Sequence, residues 1–445
     1  MTATATDTFD VLDPATGEVI ATLDHGDPEA AVAAARAAFP GWARTAPAER
    51  AALLKAGARR LREHLEELAE LQTREGGKPL DDSRGGVEAG IGAIEQYAEL
   101  GPLHRGRALQ GSWDATDVMV HEPRGVVALL VPWNDPVAIA CGQIAAALVT
   151  GNAVVFKPSE KTPLTGARIV ERLDIPALHL LQGDARVGRP LAAHPDVDLV
   201  MHTGSVQTGK EIADVVAGRL GKALLELGGK DALIVDEDVD PEWAAAQAAL
   251  GAFANAGQIC TSVERIYVHE TVAEPFIEAL EREAHGWTIG PLIDARQREL
   301  VHGHVTDAAQ RGAEVRCGGE IPDGPGFFYP PTVLVGGDAD APVLREETFG
   351  PVAAVQVVSS FDQALELADR TDYGLAATVL TKSPAHAQRA ARELAVGTVK
   401  INAVFGGAPG GAAEPARLSG SGFGYGPELL DELTRTKVVH MGIAP

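Results

Sequence analysis

Short apolar runs alternate with helix-like segments through the middle of the chain. The first set of runs covers residues 126–131, 153–156, 178–181 and 199–202. Such runs are typical of strands buried on both faces, and their alternation with helices predicts a parallel sheet in an α/β fold. After Gly229 the pattern restarts with strand-like runs at 232–235 and 265–269 on either side of a helical pattern at 241–254, which predicts a second α/β domain.

The N-terminal part of the chain has helical periodicity instead. Asp27 can cap a helix, and Pro28 and Glu29 suit its first turn, so a helix is predicted over residues 30–39. An apolar stripe with alternating spacings of four and three is formed by Leu54, Ala58, Leu61, Leu65 and Leu68. This stripe predicts one longer helix that ends near Gly76.

The size and charge of the chain narrow the classes of protein to consider. Its 445 residues exceed the length at which a single core stops growing, so two or three domains are expected. Sixty-two acidic against 38 basic residues give a net charge of −24, which disfavours nucleic acid and anionic membrane surfaces as partners. No basic segment followed by an apolar core opens the chain, and no apolar run reaches the ~20 residues that span a bilayer, so a cytoplasmic protein is expected.

The cysteines supply the first candidate chemistry. Cys141, Cys260 and Cys317 show neither CxxC spacing nor an even-numbered framework, so no metal site and no disulfide scaffold is predicted, which suits a reducing compartment. Buried cysteines usually pack inertly, yet Cys260 follows Glu226, which interrupts an apolar run where an unpaired carboxylate is costly to bury. An acid in such a place usually has a partner or a task, so the two residues form a candidate nucleophile and base.

Several motifs occur in an order that identifies a family. They are Pro132-Trp133-Asn134, Gly151-Asn152 with Lys157-Pro158-Ser159-Glu160, Thr203-Gly204-Ser205, Glu226-Leu227-Gly228-Gly229, Gly257-Gln258-Ile259-Cys260 and Glu346-Glu347-Thr348-Phe349-Gly350-Pro351. Through them the chain resembles, over nearly its whole length, the aldehyde dehydrogenase superfamily, whose NAD(P)-dependent members oxidise aldehydes to acids through a cysteine thioester. One motif alone is weak, whereas the ordered set is specific.

The resemblance implies an α/β fold with a variant Rossmann cofactor domain, a second α/β catalytic domain and a small β oligomerisation arm. The implied NAD-binding domain covers 1–104 and 124–228, the catalytic domain 229–427, and the arm 105–123 and 428–445. On local pattern alone, residues 105–121 indicate a polar loop and residues 436–441 a strand. In the family these pieces pair with a neighbouring subunit, which implies a homodimer or homotetramer.

The resemblance also implies catalytic roles. Cys260 attacks the aldehyde carbon, because hydride can leave only after the carbonyl becomes a tetrahedral alkoxide. The Asn134 amide and the Cys260 backbone N–H stabilise that oxyanion, and Lys157 helps to order Asn134. Glu226 activates the water that hydrolyses the thioester; members that transfer the acyl group to coenzyme A commonly lack this glutamate, so a free acid is the implied product. Outside the family context, Asn134 is an ordinary turn residue.

The cofactor prediction depends on the resemblance, because no GxGxxG motif follows a predicted strand. The segment from Gly204 to Lys210 looks like a P-loop, but Glu211 stands where that motif needs Ser or Thr, so a nucleotide triphosphatase is rejected. By resemblance Ser205 meets the pyrophosphate, and Glu160 binds the adenosine ribose hydroxyls and repels a 2′-phosphate, which favours NAD over NADP. The other implied cofactor positions are Trp133, Lys157, Ser159, Gly204, Leu227, Gly228, Glu347 and Phe349. A capped tight turn at Ser205 and a solvated turn at Glu160 remain alternatives.

The positions at which this sequence departs from the family pattern are candidate substrate-binding positions. Asp135 stands where an aromatic usually lies, Gly142 and Lys400 stand where Trp is common, and Glu414 changes a usually apolar loop. The other candidate substrate positions are Ile259, Thr261 and Phe405. A carboxylate in a partly dry tunnel needs a donor, so an aldehyde with a hydroxyl or cationic group is expected. Alternatively, Asp135 caps the next helix, pairs with a local arginine or is neutralised by Lys400.

Two other functions fit the same residues. Cys260 and Glu226 suit a cysteine hydrolase or thioesterase without redox chemistry, since deacylation needs no cofactor. A binding protein that has kept only the fold is a third reading, and the intact Asn134 disfavours it. The leading hypothesis is an NAD-dependent aldehyde dehydrogenase that acts on a small-molecule aldehyde.

Overall fold

The computed structural model describes residues 8–407 and 410–444. Within these ranges the helices are α1 (Pro28–Arg44), α2 (Pro47–Glu63), α3 (Leu65–Gly76), α4 (Leu80–Leu100), α5 (Pro136–Val149), α6 (Pro163–Leu173), α7 (Ala185–Ala193), α8 (Val206–Gly218), α9 (Pro241–Phe253), α10 (Ala273–Gly286), α11 (Ala295–Gln310), α12 (Pro342–Arg345), α13 (Phe361–Asp369), α14 (Pro384–Glu393) and α15 (Glu428–Glu432). Short 3-10 turns cover Gly101–Leu103, Ala254–Gly257 and Arg417–Ser419.

The strands of the same ranges form four sheets. They are β1 (Thr8–Leu12), β2 (Val19–Asp24), β3 (Arg107–Leu109), β4 (Ala115–Pro123), β5 (Val126–Val131), β6 (Ala153–Pro158), β7 (Leu178–Leu180), β8 (Leu199–Thr203), β9 (Lys222–Glu226), β10 (Asp231–Val235), β11 (Val263–His269), β12 (Ala313–Cys317), β13 (Thr332–Gly336), β14 (Val352–Val358), β15 (Ala376–Leu380), β16 (Thr398–Ile401), β17 (Gly420–Ser421) and β18 (Thr434–Gly442). The two short N-terminal strands pair as an antiparallel hairpin.

The first large sheet has the strand order β17-β9-β8-β5-β6-β7, and all of its strands except β17 are parallel. In the central register Leu129 lies opposite Phe156 on one side and Met201 on the other. Strands β5 and β6 are buried along their whole length, as expected for a sheet covered on both faces by helices. The parallel α/β sheet predicted from the apolar runs is confirmed. Its edge strand β17 comes from near the C-terminus.

The second large sheet has the order β12-β13-β14-β11-β10-β15-β16, with only β12 antiparallel among the described strands. One face packs on α9 and α10, and the other packs on α13 and α14. Alternate residues of one strand serve these two faces: Leu233 belongs to the first core and Ile234 to the second. The second α/β unit expected after Gly229 is therefore present.

The N-terminal helices correct one expectation. The helix predicted over 30–39 is present as α1, where the Asp27 carboxylate accepts the backbone N–H of Glu29. The single long helix predicted from the leucine stripe is wrong, because α2 and α3 are separated by His64 in a non-helical conformation (φ −113°, ψ 23°). Both helices still turn the stripe inward, with Leu61 and Leu68 fully buried.

The segment indicated as a polar loop over 105–121 instead contributes β3 and β4 to a three-stranded antiparallel sheet with β18. Its register places Val118 opposite Val439. The strand pairing comes from the C-terminal end of the chain, so the local pattern did not reveal it. No helix of the described residues is long and apolar enough to span a membrane.

Candidate active site

Four parallel strands bring the candidate cofactor motifs to one edge of the first sheet. Strand β5 ends just before Trp133, β6 ends just before Ser159, β8 ends just before Gly204, and β9 ends at Glu226. The carboxyl ends of adjacent parallel strands lie side by side, and ligands of open α/β sheets bind there. Motifs that are far apart in sequence thus share one crevice.

The N-terminus of α8 opens into this crevice. The Ser205 hydroxyl caps it by accepting the Thr208 backbone N–H at 3.2 Å. A Cβ at Gly204 would come within 2.6 Å of the buried His202 imidazole, so the turn needs glycine there. Leu227 packs over α8 so closely that a Cβ at Gly209 would lie 2.6 Å from its side chain. The exposed backbone N–H groups of this turn fit a pyrophosphate.

Lys157 is buried at the end of β6, and its ammonium donates to the backbone oxygens of Pro158 at 2.8 Å and Gly183 at 2.6 Å. Burial lowers its pKa, and the Glu160 charge opposes that shift. The structure does not bring Lys157 to Asn134, whose side chain bonds elsewhere. One N–H of the ammonium remains for a ligand, which suits a ribose hydroxyl better than a role behind Asn134.

Ser159 and Glu160 form the turn that follows. The nearly buried Ser159 hydroxyl accepts the Lys161 backbone N–H at 3.2 Å, which shapes the turn. The half-buried Glu160 carboxylate accepts no hydrogen bond within residues 8–407 and 410–444. Its oxygens can therefore accept from two neighbouring hydroxyls of a bound ribose.

Glu347 enters the crevice from the second domain. Its carboxylate lies against Gly228 and accepts the Gly229 backbone N–H at 3.2 Å. Burial, with the Glu264 charge next, raises the pKa of Glu347 to about 8. A half-buried carboxylate with this much unused acceptor capacity fits the hydroxyl groups of a second ribose. Glu160 and Glu347 thus both have carboxylate oxygens with unused capacity to accept hydrogen bonds from ribose hydroxyls. This is the observation that fits the crevice to NAD.

Hydrogen bonds to Glu264 fix the loop that carries Glu347. Glu264 accepts the backbone N–H groups of Thr348 and Phe349, both at 2.8 Å, and forms a buried pair with the Lys230 ammonium at 2.5 Å. Sequence reasoning missed Glu264. The signal for it was weak, because Glu264 stands next to Arg265 in a strand that also contains His269.

An aromatic contact joins the two sides of the crevice. The rings of Trp133 and Phe349 meet edge to face with centroids 5.6 Å apart. Phe349 has a left-handed backbone (φ 51°), a conformation that costs roughly 1 kcal/mol or more in a bulky residue and persists only where its surroundings impose it. The pair forms an apolar wall suited to a flat nicotinamide ring.

The turn before Cys260 is also left-handed. After α9 ends, Asn255, Ala256 and Gly257 have φ values of 49°, 55° and 71° in succession. A Cβ at Gly257 would lie 2.0 Å from the Gly350 backbone oxygen, so only glycine allows this approach. The turn presses the Cys260 loop onto the loop of Glu347 and Phe349, so nucleophile and cofactor loop are fixed together.

Charges around the half-buried Cys260 set its protonation. Burial raises the pKa of the thiol to about 12, the negative charges of Asp231, Glu226 and Glu347 act in the same direction, and the Lys400 ammonium opposes them. The thiol therefore rests in its protonated form. The thiol must lose its proton, to a base or after the effect of these negative charges has weakened, before the sulfur can attack an aldehyde.

Asn134 lies over the same loop. Its side-chain amide donates to the Gln258 backbone oxygen at 3.1 Å, while its own backbone oxygen accepts from the Asn255 side chain at 3.2 Å. Each side-chain amide nitrogen carries two hydrogens, so one remains for an oxyanion next to Cys260. The structure thus places Asn134 against the loop that carries Cys260, and its role as an oxyanion donor stays a prediction.

Glu226 ends β9, and its carboxylate accepts the Gly424 backbone N–H at 2.9 Å. Burial raises its pKa to about 8, and that hydrogen bond lowers it only in part. No cation pairs with Glu226 within the described part of the chain. A pKa near working pH suits a group that takes up and releases a proton in each cycle.

Asp135 forms an ion pair within the chain. Its carboxylate pairs with the Lys78 ammonium at 3.2 Å, and it makes no side-chain cap to α5. The partner is thus a lysine, neither the arginine nor the helix cap considered from sequence. Gly142 faces α4, where a Cβ would touch Ala93 at 3.6 Å.

The remaining substrate candidates lie on loops around the nucleophile. Lys400 donates to the Val404 backbone oxygen at 2.8 Å and lies 5.6 Å from the Phe405 ring centroid, so it does not neutralise Asp135. The exposed Glu414 carboxylate accepts the Gly422 backbone N–H at 3.1 Å. Ile259 and Thr261 are half-buried on either side of Cys260.

Besides Glu264, sequence reasoning missed three contributors to this site: Asp231, Gly424 and the effect of the Lys400 charge on Cys260. Asp231 is a buried acid whose pKa burial raises to about 8, and one of its oxygens has no partner within the described residues. The sequence signal for Asp231 was an acid at the first position of an apolar strand. Gly424 acts through its backbone, so the sequence carried no signal for it.

Comparisons with known proteins agree with this geometry. The model of the aldehyde dehydrogenase family matches residues 1–439. A betaine aldehyde dehydrogenase of Bacillus subtilis (strain 168) is 36% identical over 98% of this chain and 94% of its own length. The crystal structure of betaine aldehyde dehydrogenase from Staphylococcus aureus in complex with NAD+ superposes with a TM-score of 0.95 at 34% identity, covering 98% of this chain and 92% of that one.

A third neighbour is the structure of 3,6-anhydro-L-galactose dehydrogenase in complex with NAP, the NADP cofactor. It has a TM-score of 0.94 and 32% identity over 98% of this chain and 96% of that one. These matches do not favour a cysteine hydrolase without redox chemistry. The chain belongs to the aldehyde dehydrogenase family and is an NAD-dependent enzyme that oxidises aldehydes.

Proposed function

We propose that Cys260 forms the covalent bond to the aldehyde and that Glu226 directs its hydrolysis to a free carboxylic acid. The observation that carries this proposal is the half-buried Glu226 carboxylate, which pairs with no cation among the described residues and whose charge acts on the Cys260 thiol. The thiol loses its proton to solvent as sulfur bonds to the aldehyde carbon, so Glu226 is still available as a base for the later step. Asn134 then donates its free amide N–H to the new oxyanion.

Hydrolysis uses the Glu226 carboxylate. Bound NAD supplies the acceptor for the two electrons of the oxidation, which leaves the acyl group on Cys260 as a thioester. Glu226 then takes a proton from water while the oxygen of that water bonds to the acyl carbon. The carbon–sulfur bond breaks, the carboxylic acid leaves, and the sulfur recovers a proton. The Gly424 N–H holds Glu226 in place for this step.

We propose that the domain formed by 1–104 and 124–228 binds NAD in preference to NADP. Ser205 and the N-terminus of α8 hold the pyrophosphate, Lys157 and Glu160 the adenosine ribose, and Glu347 the other ribose. Leu227, Gly228 and the Trp133–Phe349 pair line the crevice. A 2′-phosphate would meet the Glu160 carboxylate, and the turn of residues 159–162 contains no arginine that could bind the phosphate. Because one neighbour is bound to NAP, family membership alone leaves this preference open.

The expected preference for NAD is at least tenfold in kcat/KM, which corresponds to about 1.4 kcal/mol. Glu160→Gln should reduce the ratio of kcat/KM for NAD to kcat/KM for NADP, because it removes the charge but keeps an acceptor for the ribose. Steady-state kinetics with both cofactors provide the measurement. Glu171→Gln, on the exposed face of α6, is the matched control and should leave the ratio unchanged. Equal use of NAD and NADP by the wild type would reject the assignment of Glu160.

We infer that the preferred aldehyde carries a hydroxyl group. Relatives named for betaine aldehyde and for 3,6-anhydro-L-galactose differ in the group beside the aldehyde, so the family leaves the substrate open. The Asp135–Lys78 pair offers an acceptor and a donor, and a hydroxyl can use either. A substrate cation, the other group expected from sequence, would compete with Lys78 and approach the Lys400 charge near Cys260.

We therefore expect kcat/KM for a hydroxyaldehyde to exceed that for an alkanal of equal length by about 2- to 10-fold, the worth of one hydrogen bond. Asp135→Phe should remove this advantage. Lys78→Met is a second variant, and it should improve an aminoaldehyde relative to wild type, because Asp135 then lacks a cation. If wild type prefers the alkanal, or if neither variant changes the ranking, Asp135 does not contact the substrate.

We also propose that the chain works as a homodimer or homotetramer in the cytoplasm. The arm of β3, β4 and β18 presents Trp113, Val438 and Met441 to solvent in the single chain, and burying such side chains against a second copy would be favourable. All three cysteines are unpaired, which suits a reducing compartment.

A further inference from the structure

Two imidazoles and a carboxylate converge at the base of the arm, outside the active site. His104 follows the 3-10 turn after α4, His121 lies in β4, and Asp431 lies in α15. The Asp431 carboxylate oxygen is 2.8 Å from Nε2 of His104 and 3.9 Å from Nε2 of His121. One ligand atom from each residue lies within 4.8 Å of the others, and the ring centroids are 4.2 Å apart.

The hydrogen bonds around His121 fix its tautomer. The Thr434 hydroxyl donates its hydrogen to the Leu430 backbone oxygen at 2.9 Å, so toward Nδ1 of His121, 3.3 Å away, it acts as an acceptor. Nδ1 therefore carries the proton, and in the neutral ring Nε2 is bare. That bare nitrogen faces the Asp431 oxygen, so two lone pairs point at each other.

This arrangement calls for a cation. A metal ion between the three side chains would supply that charge and satisfy both lone pairs. The proton on Nδ1 then has the role that outer partners of metal-bound histidines commonly have, since it is donated to a protein oxygen and fixes the ring.

We propose that His104, His121 and Asp431 bind one divalent transition-metal ion of the zinc class. Tetrahedral sites with ligand distances of about 2.0 Å place their donor atoms about 3.3 Å apart, and the observed separations of 2.8 and 3.9 Å lie on either side of that value. Small side-chain rotations complete the site, with water as fourth ligand. Two imidazoles favour zinc, cobalt or nickel over magnesium or calcium, which prefer oxygen.

The ligands come from three segments that surround the arm. His104 belongs to the body of the first domain, whereas His121 is on an arm strand and Asp431 precedes the strand that pairs with it. A bound metal would fasten the arm to the domain. The role of the site is therefore structural, separate from aldehyde oxidation.

The test uses the full-length, metal-stripped protein titrated with Co²⁺. Wild type should bind one Co²⁺ per subunit and show tetrahedral d–d absorption without the thiolate-to-cobalt charge transfer of a cysteine site. His104→Gln and His121→Gln should each abolish that absorption. Thr434→Val, which removes the acceptor for His121 together with the hydrogen bond to Leu430, should weaken binding roughly tenfold. His440→Gln is the matched control, because this arm histidine faces only Asp117 and should leave binding unchanged.

Three outcomes would overturn the proposal. The first is no uptake of Co²⁺ by wild type at micromolar concentration. The second is an unchanged absorption in the double His104→Gln/His121→Gln variant, and the third is charge-transfer bands that assign the ion to a cysteine. NADH formation by the metal-free variants checks their folding. If a histidine variant does not fold, Asp431→Asn at the exposed ligand provides the same test.

Discussion

Replacing Cys260 by alanine is expected to reduce aldehyde oxidation by at least about 10⁴-fold while NAD binding is retained. The expected loss is on the scale seen when a covalent nucleophile is removed from other enzymes. The cofactor contacts proposed for Glu160, Ser205 and Glu347 do not involve the thiol, so cofactor affinity should stay close to wild type. NADH absorbance measures the first quantity, and calorimetric titration with NAD measures the second.

Cys317→Ala provides the matched control, since Cys317 is also a half-buried thiol but lies in β12, where its sulfur faces the Pro331 backbone oxygen. This variant should retain near-normal turnover. If Cys260→Ala oxidised aldehydes at a rate near wild type, the covalent mechanism would have to be abandoned. If it lost NAD affinity as well, the effect would be structural.

Glu226→Gln should give a burst of NADH followed by turnover slowed by about 10²- to 10⁴-fold, the usual contribution of a general base. The burst is expected because NADH forms before hydrolysis, and an initial proton can leave the thiol slowly to solvent. Rapid mixing of enzyme, NAD and aldehyde measures the burst against enzyme concentration. Hydroxylamine, which attacks a thioester without a base, should restore part of the turnover. Absence of any burst would move the role of Glu226 to the attack step.

The same carboxylate predicts a pH dependence. A base must be ionised, so wild-type turnover should rise with pH through the pKa of about 8, and Glu226→Gln should lack that rise. Stability should change in the opposite direction. The folded state raises the pKa of Glu226 above its unfolded value, so its favourable contribution is complete below that unfolded value and is lost as pH rises through about 8.

The local pattern was sufficient for the sheets but not for the helix break or the arm. Strands such as β5 are apolar along their whole length, and that signal needs no partner. The break at His64 leaves the leucine stripe in register, so periodicity could not detect it. Strands β3 and β4 exist because β18 pairs with them from the other end of the chain, and the sequence around residues 105–121 contains no trace of that partner.

In the candidate site, too, some residues could be identified from the local sequence and others could not. Glu226 was identified because burying an acid in an apolar run is costly, and this reasoning holds wherever the strand lies. The partners of the site residues could not be identified in that way. Lys78 reaches Asp135 from the loop between two helices, and Gly424 offers Glu226 only a backbone N–H. Such contacts are set by how distant segments pack, which composition and spacing do not encode.

The short edge strand β17 has a consequence for biosynthesis. It pairs with β9 and leads to Gly424, which bonds to a carboxylate 198 residues earlier in the chain. Until Gly420–Ser421 emerges from the ribosome, the end of β9 presents unpaired N–H and C=O groups that another strand can capture. The first sheet therefore cannot be completed while the second is being translated. A nascent chain that stalls before Gly420 carries an open sheet edge and an unheld Glu226, which makes late translation the stage most exposed to aggregation.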